Sequence, residues 1–287
     1  MTRTSDRQVS STVENSALGS SAYQRLRQHK DYRSGFPTLL AKEVMRFWRV
    51  ALQTILAPVL TSVLYLLVFS HVLQGRVQSY AGSDISIDYV SFLIPGLIMM
   101  SMQQNAFANA SSSLVQSRIT GNLVFILLPP LSAYELYGAY VLGGVIRGLM
   151  VGLSLWFFAL IFRVVLPYNI LWVLVFAVLA CGIMSTLGLI AGLWSEKFDQ
   201  LALFQNFLIM PASFLSGVFY SIHSLPPFWQ AVSHWNPIFY MIDGMRYGFF
   251  GVADTSPWLS LAVVSVFFVI VSLIALRLIV SGYKLRN

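Results

Sequence analysis

Six long apolar stretches occupy most of the chain after residue 50, and polar residues collect in the segments between them. A helix that crosses a bilayer needs about 20 apolar residues, because the hydrocarbon core is about 30 Å thick. The pattern therefore predicts an all-α membrane protein with six transmembrane helices. The predicted spans are residues 51–73, 89–110, 136–162, 170–194, 201–220 and 258–280.

A shorter amphipathic segment, residues 36–50, precedes the first span. Pro37 suits the first turn of a helix, and apolar residues then recur at helical spacing. The predicted apolar face consists of Leu40, Val44, Phe47, Trp48 and Ala51, and the predicted polar face of Lys42, Glu43, Arg46 and Arg49. This pattern predicts an interfacial helix in the plane of the headgroups. An early start of the first span is the alternative.

The connection between the fifth and sixth spans is unusually apolar and aromatic for a solvated loop. A proline pair beginning at Pro226 opens one short helical segment, and Asn236 with Pro237 ends it and starts a second. Segments of about 10–14 residues are too short to span a bilayer, so we expect two re-entrant or interfacial helices on the outer side. Asp243 and Arg246 are spaced to form an ion pair or to sense a substrate. The candidate residues of these outer helices are Pro226, Trp229, Asn236, Pro237, Asp243 and Arg246.

Composition and charge support and orient this arrangement. The chain is 57% hydrophobic and 10% charged, whereas soluble domains are about 25% charged. Residues 1–35 are polar, lack a signal-peptide core and indicate a disordered tail, which leaves residues 36–287 as the membrane domain. Nine Lys and Arg residues in the first 50 positions place both termini in the cytoplasm. These basic residues form no stripe with aromatics, so we expect no nucleic-acid partner.

Enzyme motifs are missing from the sequence. No Gly-Lys pair marks a phosphate-binding loop, the four histidines are scattered, and the one cysteine, Cys181, lies in an apolar run. We therefore expect no catalytic, cofactor-binding or metal site on this chain. A membrane-embedded enzyme or an assembly scaffold is an alternative without a supporting motif.

Polar residues inside the spans are the candidates for a translocation path. Ser101, Asn105 and Asn109 recur every four residues and share one face of the second span. That face either lines a substrate path or makes interhelical hydrogen bonds of about 0.6 kcal/mol each. Arg147 is the one full charge deep in a span, and such a charge is costly and is a functional candidate by default. Glu135, the interface or a polar residue on another helix would accommodate it.

Small residues recur every four positions on two spans. Gly144, Gly148 and Gly152 lie on the third span, and Gly188 and Gly192 lie on the fourth. Such ridges let helix backbones approach closely. We therefore expect tight packing at these positions rather than a site.

The connection 111–135 is cytoplasmic in the predicted topology and is the candidate for coupling to a partner. Arg118, Thr120, Gly121 and Asn122 precede two leucines and a proline pair. A short helix along the membrane that ends at the prolines would offer a docking surface. An ordinary loop is the alternative.

Four segments carry a resemblance to a known family: FLIPGLIMM from Phe92, FLSGVFY from Phe214, LPPFW from Leu225 and NPIFYMIDGMRYG from Asn236. From Phe36 onward, the order of parts resembles the ABC-2 family of ATP-binding-cassette permeases, and within it the YadH-like bacterial inner-membrane permeases. The family's coupling loop often contains an acidic residue before its leucines, whereas residues 122–129 here contain none. The expected coupling contacts are therefore Arg118 and Asn122.

The resemblance implies the permease of an ATP-driven exporter in a bacterial inner membrane. Two copies of this chain would pair as a homodimer with two copies of a separate ATPase, and ATP and Mg²⁺ would bind to that ATPase. The cargo would be a drug, lipid, glycolipid or polysaccharide, and the sparse charge favours a hydrophobic or amphipathic one. The alternative is a secondary transporter driven by an ion gradient, which would need intramembrane acids or a Na⁺ site.

Overall fold

The computed structural model describes residues 35–72, 77–79, 86–128 and 131–284, so the predicted tail lies almost wholly outside the described residues. Two three-residue strands pair antiparallel, with Val77 opposite Asp88. All other regular elements described are helical. In chain order, the helices and the two strands are α1 (Gly35–Trp48), α2 (Ala51–Val72), β1 (Val77–Ser79), β2 (Ser86–Asp88), α3 (Tyr89–Ile119), α4 (Leu123–Leu127), α5 (Ala133–Ala159), α6 (Ile170–Trp194), α7 (Phe198–Phe204), a π-helical segment (Gln205–Ile209), α8 (Met210–Phe214), a 3-10 turn (Ile222–Ser224), α9 (Pro227–His234), α10 (Pro237–Phe250) and α11 (Pro257–Val280).

Four helices in the described part of the chain are long and apolar enough to cross a membrane. They coincide with the predicted first, third, fourth and sixth spans, and they are Ala51–Phe69 within α2, Ala133–Ala159, Ile170–Trp194 and Pro257–Val280. The predicted second span lies within α3, which is longer and more polar. The predicted fifth span overlaps α7, the π-helical segment and α8. An all-helical membrane fold is therefore confirmed, and the count of six spans stays a prediction.

Helix α3 lies at the centre of the fold and is buried along most of its length. It packs closely against α5 and α6, and small residues make this approach feasible. A Cβ atom on Gly188 would lie 2.3 Å from the carbonyl oxygen of Phe107, and one on Gly148 would lie 3.1 Å from the carbonyl oxygen of Met102. The predicted glycine ridges are therefore packing surfaces.

Helix α1 forms where the amphipathic segment was predicted, but a different face is buried. The buried positions are Leu39, Glu43 and Phe47, whereas Trp48 is 61% exposed. The prediction that Glu43 belongs to the polar outer face is wrong, because its side chain is fully buried. Gly143 on α5 makes room for it, since a Cβ there would lie 2.9 Å from Glu43 Cβ.

The connection 111–135 is less loop-like than the sequence indicated. Helix α3 continues through the serines to Ile119, and a short helix, α4, follows at Leu123–Leu127. Ser111 and Ser112 donate back to the carbonyls of Phe107 and Ala108 four residues earlier, at 2.8 and 2.5 Å. The predicted short helix before the proline pair is present, and the helix that contains the predicted second span continues nine residues past the predicted boundary at residue 110.

The helical segment of the predicted fifth span is also shifted. It runs from Phe198 to Phe214 and contains a π-helical segment at Gln205–Ile209, so it ends six residues before the predicted boundary. Leu215 caps it, and Gly217 then adopts a left-handed conformation with φ of 76°. Glycine tolerates this conformation without steric cost. The chain therefore turns here instead of continuing as a helix.

Candidate functional site

The polar face of α3 borders a cavity of about 250 Å³ between α2 and α3. Ser101 and Asn105 line it, as the sequence predicted for a path, and Ser62 on α2 lies opposite Ser101 with their hydroxyl oxygens 3.0 Å apart. Asn105 Nδ2 donates to the Ser101 carbonyl at 3.0 Å. One side of the cavity is therefore a row of polar groups held in place by α3 itself.

Arg147 reaches this row from α5. Its Nη2 donates to Asn105 Oδ1 at 3.1 Å. Glu135, the alternative partner, instead caps the start of α5, where its carboxylate accepts from the Ser132 backbone N–H at 2.9 Å. Of the three environments considered for Arg147 from the sequence, the structure therefore shows a polar partner on another helix.

Asn109, one turn further along α3, is fully buried and bound by α1. Arg46 Nη2 donates to the Asn109 carbonyl at 2.7 Å and to its Oδ1 at 3.0 Å. Arg46 also lies 3.3 Å from Glu43, whose other oxygen accepts from Ser113 Oγ at 2.7 Å. Asn109 thus belongs to a polar joint between α1 and α3 rather than to the cavity.

The predicted coupling residues separate into two groups. Thr120, Gly121 and Asn122 are exposed at the turn between α3 and α4. Gly121 has φ of 71°, and a Cβ atom there would meet nothing within 4 Å. Glycine is therefore needed at this position for backbone conformation and not for packing.

Arg118 instead points toward the ends of two other helices. Its guanidinium donates to the carbonyls of Ser195 and Leu193, at the end of α6, and to the Lys284 carbonyl beyond α11 at 3.1 Å. Lys284 in turn pairs with Glu196 at 3.0 Å. The hydrogen bond from Lys284 lowers the pKa of the Glu196 carboxyl. The end of α3 is thereby joined to α6 and α11.

Asp243 and Arg246 on α10 are both fully buried, and each has its own set of partners. The Asp243 carboxylate accepts from the backbone N–H groups of Asp254 and Thr255 at 2.7 and 3.1 Å, and from Thr255 Oγ1 at 2.6 Å. Arg246 Nη2 donates to the carbonyls of Gly217 and Val218 at 2.6 and 3.0 Å. The expected ion pair between these two side chains is not formed. Instead, Asp243 bonds to the connection between α10 and α11, and Arg246 bonds to the connection that follows α8.

The remaining outer candidates shape the two short helices. Asn236 caps α10 by accepting from the Ile238 N–H at 3.0 Å, and its Nδ2 donates to the Ala212 carbonyl at 2.6 Å. Pro226 precedes the first residue of α9, and Pro237 is the first residue of α10. Trp229 is 43% exposed on α9. The two predicted helices exist, with 8 and 14 residues.

Sequence reasoning missed three contributors to the polar region. Glu43 was assigned to the outer face of α1, and Ser62 on α2 was not singled out. Gln104 was not singled out either, although it lines the cavity. The signal for Glu43 was available: Leu39, Glu43 and Phe47 are spaced at i, i+4 and i+8 and form one helical stripe. Within the described residues, no cluster of His, Cys, Asp and Glu has the arrangement of a metal site.

Comparisons with known proteins give concordant results. The sequence model of a family described as ABC-2 type transporter matches residues 35–250, from α1 to the end of α10. The inner membrane transport permease YadH of Escherichia coli strain K12 is 38% identical over 256 residues, which cover 89% of this chain and 98% of the relative. The protein of the same name from Shigella flexneri gives the same identity and coverage.

Proposed function

This chain belongs to the ABC-2 type transporter family, and on that premise we propose that it is the membrane subunit of an ATP-driven exporter. Family membership makes it a transmembrane transport permease of an ABC transporter. The observation that carries the proposal is the extent of the match: residues 35–250 include every candidate site residue. Export, rather than import, and an amphipathic or hydrophobic cargo are our proposals.

We further propose that the chain crosses a bacterial inner membrane six times, with both termini in the cytoplasm and residues 36–287 as one membrane domain. The printed name of the relatives supports the location. Helix α3 has 31 residues and is about 46 Å long, which exceeds the bilayer core. The segments α7, Gln205–Ile209 and α8 have 7, 5 and 5 residues and together reach about 25 Å. Phe207 in them is 77% exposed, which suits lipid contact.

The energy source is proposed to be a separate ATPase, present in two copies, that binds ATP and Mg²⁺. This chain would hold no catalytic residue or cofactor. Its docking element is the turn at Thr120, Gly121 and Asn122 together with α4, where Val124 and Phe125 are 61% and 70% exposed. Large apolar side chains exposed outside the lipid region mark a protein-contact surface.

Movement of this docking element has two routes into the membrane. One is α3, a single continuous helix from the turn at Thr120 to the polar face at Ser101 and Asn105. The other is Arg118, which joins the end of α3 to the ends of α6 and α11. A push on α4 would therefore displace the wall of the cavity and the helices packed against it.

A second copy of the chain is proposed to cover α2. Only 22% of the spanning part of α2 is buried inside the protomer. Leu52, Leu60 and Leu64 are at least half exposed, and the cavity opens on the same helix. Pairing of two copies along α2 would place the two cavities near the dimer interface.

The coupling proposal is tested by Phe125→Ala in vesicles that contain the chain and an ATPase encoded by a neighbouring gene. Removing an interface aromatic costs about 1–3 kcal/mol, so we expect stimulation of ATP turnover by the permease to need roughly tenfold more permease. Phe198→Ala is the matched control, since Phe198 is 49% exposed at the start of α7 and off the docking element. Equal stimulation by both variants would show that α4 is not part of the interface with the ATPase.

A further inference from the structure

Two buried nitrogen donors have no acceptor among the described residues and belong to the cavity region: Gln104 Nε2, whose residue lines the cavity, and Arg147 Nε, whose residue bonds to the lining residue Asn105. A buried donor without a partner costs about 1–3 kcal/mol. Native proteins hold few such groups, and each calls for a reason. An unpartnered donor in the lining of a cavity, such as Gln104 Nε2, indicates a ligand that supplies an acceptor.

Charge in the same region is also uncompensated. The helices α2, α3, α6 and α11 contain no acidic residue, and the one acid of α5, Glu135, bonds Ser132 at the helix start. Glu43 on α1 is within 3.5 Å of both Lys42 and Arg46, so it is already shared. Arg147 therefore brings a positive charge into the membrane domain without a carboxylate to balance it. Such a charge costs several kcal/mol to bury unless it has a partner.

The cavity beside Arg147 has the shape and chemistry for an amphiphile. Asn105 separates the Arg147 guanidinium from the cavity and accepts its hydrogen bond at 3.1 Å. The polar lining residues are Thr61, Ser62, Ser101, Gln104, Asn105 and Gln205. Tyr65 and five apolar residues form the rest of the wall: Ala57, Pro58, Leu97, Met100 and Ala108. A headgroup could therefore meet the polar row while its chain lies along the apolar wall.

From these observations we infer that the cavity between α2 and α3 is a binding site for the anionic headgroup, phosphate or carboxylate, of an amphiphile. Only an acceptor-rich anion satisfies the free donor of Gln104 and also balances Arg147. This inference deepens the proposed transport function and rests on it for the view that the bound amphiphile is cargo. Arg147 supplies the charge, and Gln104 and Ser101 supply hydrogen bonds to the headgroup.

The site is tested on the purified full chain alone, in neutral detergent. Dioctanoyl phosphatidic acid and dioctanoyl phosphatidylcholine are the two probes, titrated by isothermal calorimetry. Hydrogen bonds to a charged group contribute about 1.5–3 kcal/mol, so we expect the chain to bind the anionic probe at least about tenfold more tightly. In Arg147→Gln the two affinities should become equal. Arg147→Lys should retain part of the preference.

Two further variants keep the test decisive. Arg277→Gln removes an exposed basic side chain on α11 and should leave the preference unchanged, which separates the site from general surface charge. If Arg147→Gln does not fold, Gln104→Leu removes the free donor without changing charge and should weaken binding of phosphatidic acid alone, several-fold. An unmodified chain without preference for the anionic probe, a preference that survives Arg147→Gln, or an affinity for phosphatidic acid that Gln104→Leu leaves unchanged, would overturn the site.

A second arm separates cargo from a resident bilayer lipid, since both offer the same headgroup chemistry. In vesicles that also contain the ATPase, a cargo would raise ATP turnover with its concentration and would cross to the far leaflet, and a resident lipid would bind without either effect. ATP turnover that needs the chain, without any anion preference, overturns the anion site and leaves the permease function standing. Anion preference in a chain that does not itself stimulate ATP turnover overturns the permease function and leaves the anion site standing.

Discussion

The buried charges of α10 and the buried charge of α5 are held in different ways. Asp243 accepts four hydrogen bonds from Asp254, Thr255 and Ser260, at 2.6 to 3.4 Å. Arg246 donates to two carbonyls and also lies over the Phe92 ring, 3.7 Å from its centre. Arg147, by contrast, has one amide partner, Asn105, at the edge of a cavity.

This difference distinguishes structural charges from functional ones. The groups on α10 fasten neighbouring loops and are fully enclosed, although the Nε of Arg246 still has no acceptor. Their partners are backbone groups and the hydroxyls of Thr255 and Ser260, all of which belong to the fold itself. The Nε of Arg147 has no acceptor, and its guanidinium is joined through Asn105 to an open cavity, so a bound anion there can balance its charge. Replacing each charge should therefore affect stability in one region and binding in the other.

The largest expected effect is on folding, in Arg246→Ala. The carbonyls of Gly217 and Val218 would lose their donor, and a large enclosed side chain would leave a void. Each buried carbonyl that loses its donor costs about 1–3 kcal/mol and the void adds to this loss, so the yield of folded protein and the melting temperature in detergent should fall sharply. Arg163→Ala, at an exposed ion pair with Asp88, should cost less than about 1 kcal/mol. Equal losses in both variants would contradict the structural role of Arg246.

A smaller loss is expected in Asp243→Asn, which preserves the shape of the side chain. The amide nitrogen would face donors from Thr255 or Asp254, so at least one buried N–H or O–H would lose its acceptor. Such a loss costs about 1–3 kcal/mol, and the melting temperature should report it. Binding of anionic amphiphiles by the folded fraction should be unchanged. A selective loss of anion binding would move the site to α10.

Arg147→Gln tests the other region in this comparison. The free energy of unfolding of this variant should differ from that of the unmodified chain by less than about 1 kcal/mol. The amide can still donate to Asn105, and removal of an unbalanced buried charge offsets the lost bond. Thermal unfolding in detergent measures the change. A loss as large as that of Arg246→Ala would show that Arg147 is a structural charge too, which would erase the distinction between the two regions.

The smallest expected effect concerns the exposed pair of Lys284 and Glu196 at the ends of α6 and α11. The pKa of Glu196 is lowered from its ordinary value of 4.5 by its hydrogen bond to Lys284. A lowered carboxyl pKa stabilises the folded state above pH 4.5, and this contribution is lost as the pH falls through the lowered value. Unfolding of the unmodified chain and of Glu196→Gln should therefore converge at acid pH. High salt should weaken the same difference at neutral pH.

Patterns of apolar length and helical spacing predicted most of the architecture. The boundaries of α6 and the start of α11 agree with the predicted spans to within a residue, because long apolar runs leave little choice of register. Asn236 and Pro237 likewise marked the start of α10 correctly, because a cap followed by proline has few other uses. Family resemblance then supplied the function, which no catalytic motif could have done.

Tertiary contacts determine the features that the pattern of apolar residues did not predict. Helix α3 continues past residue 110 because its serines bond back to the helix and pack against α6, where Gly192 lies next to Ser111. Glu43 is buried because Gly143 leaves space and Ser113 supplies a donor. Arg147 bonds to Asn105 rather than to Glu135, because the Glu135 carboxylate caps the start of α5. Each outcome depends on which helices become neighbours, and helical spacing along one chain does not determine that.

Reconstitution in vesicles tests most directly whether this chain is the passive membrane half of an ABC transporter. The chain alone, the neighbouring ATPase alone and both together are compared for ATP turnover and for movement of a fluorescent anionic lipid across the bilayer. We predict ATP-dependent movement only when both proteins are present, with turnover stimulated by the chain. Uphill movement by the chain alone under a proton or sodium gradient would contradict this.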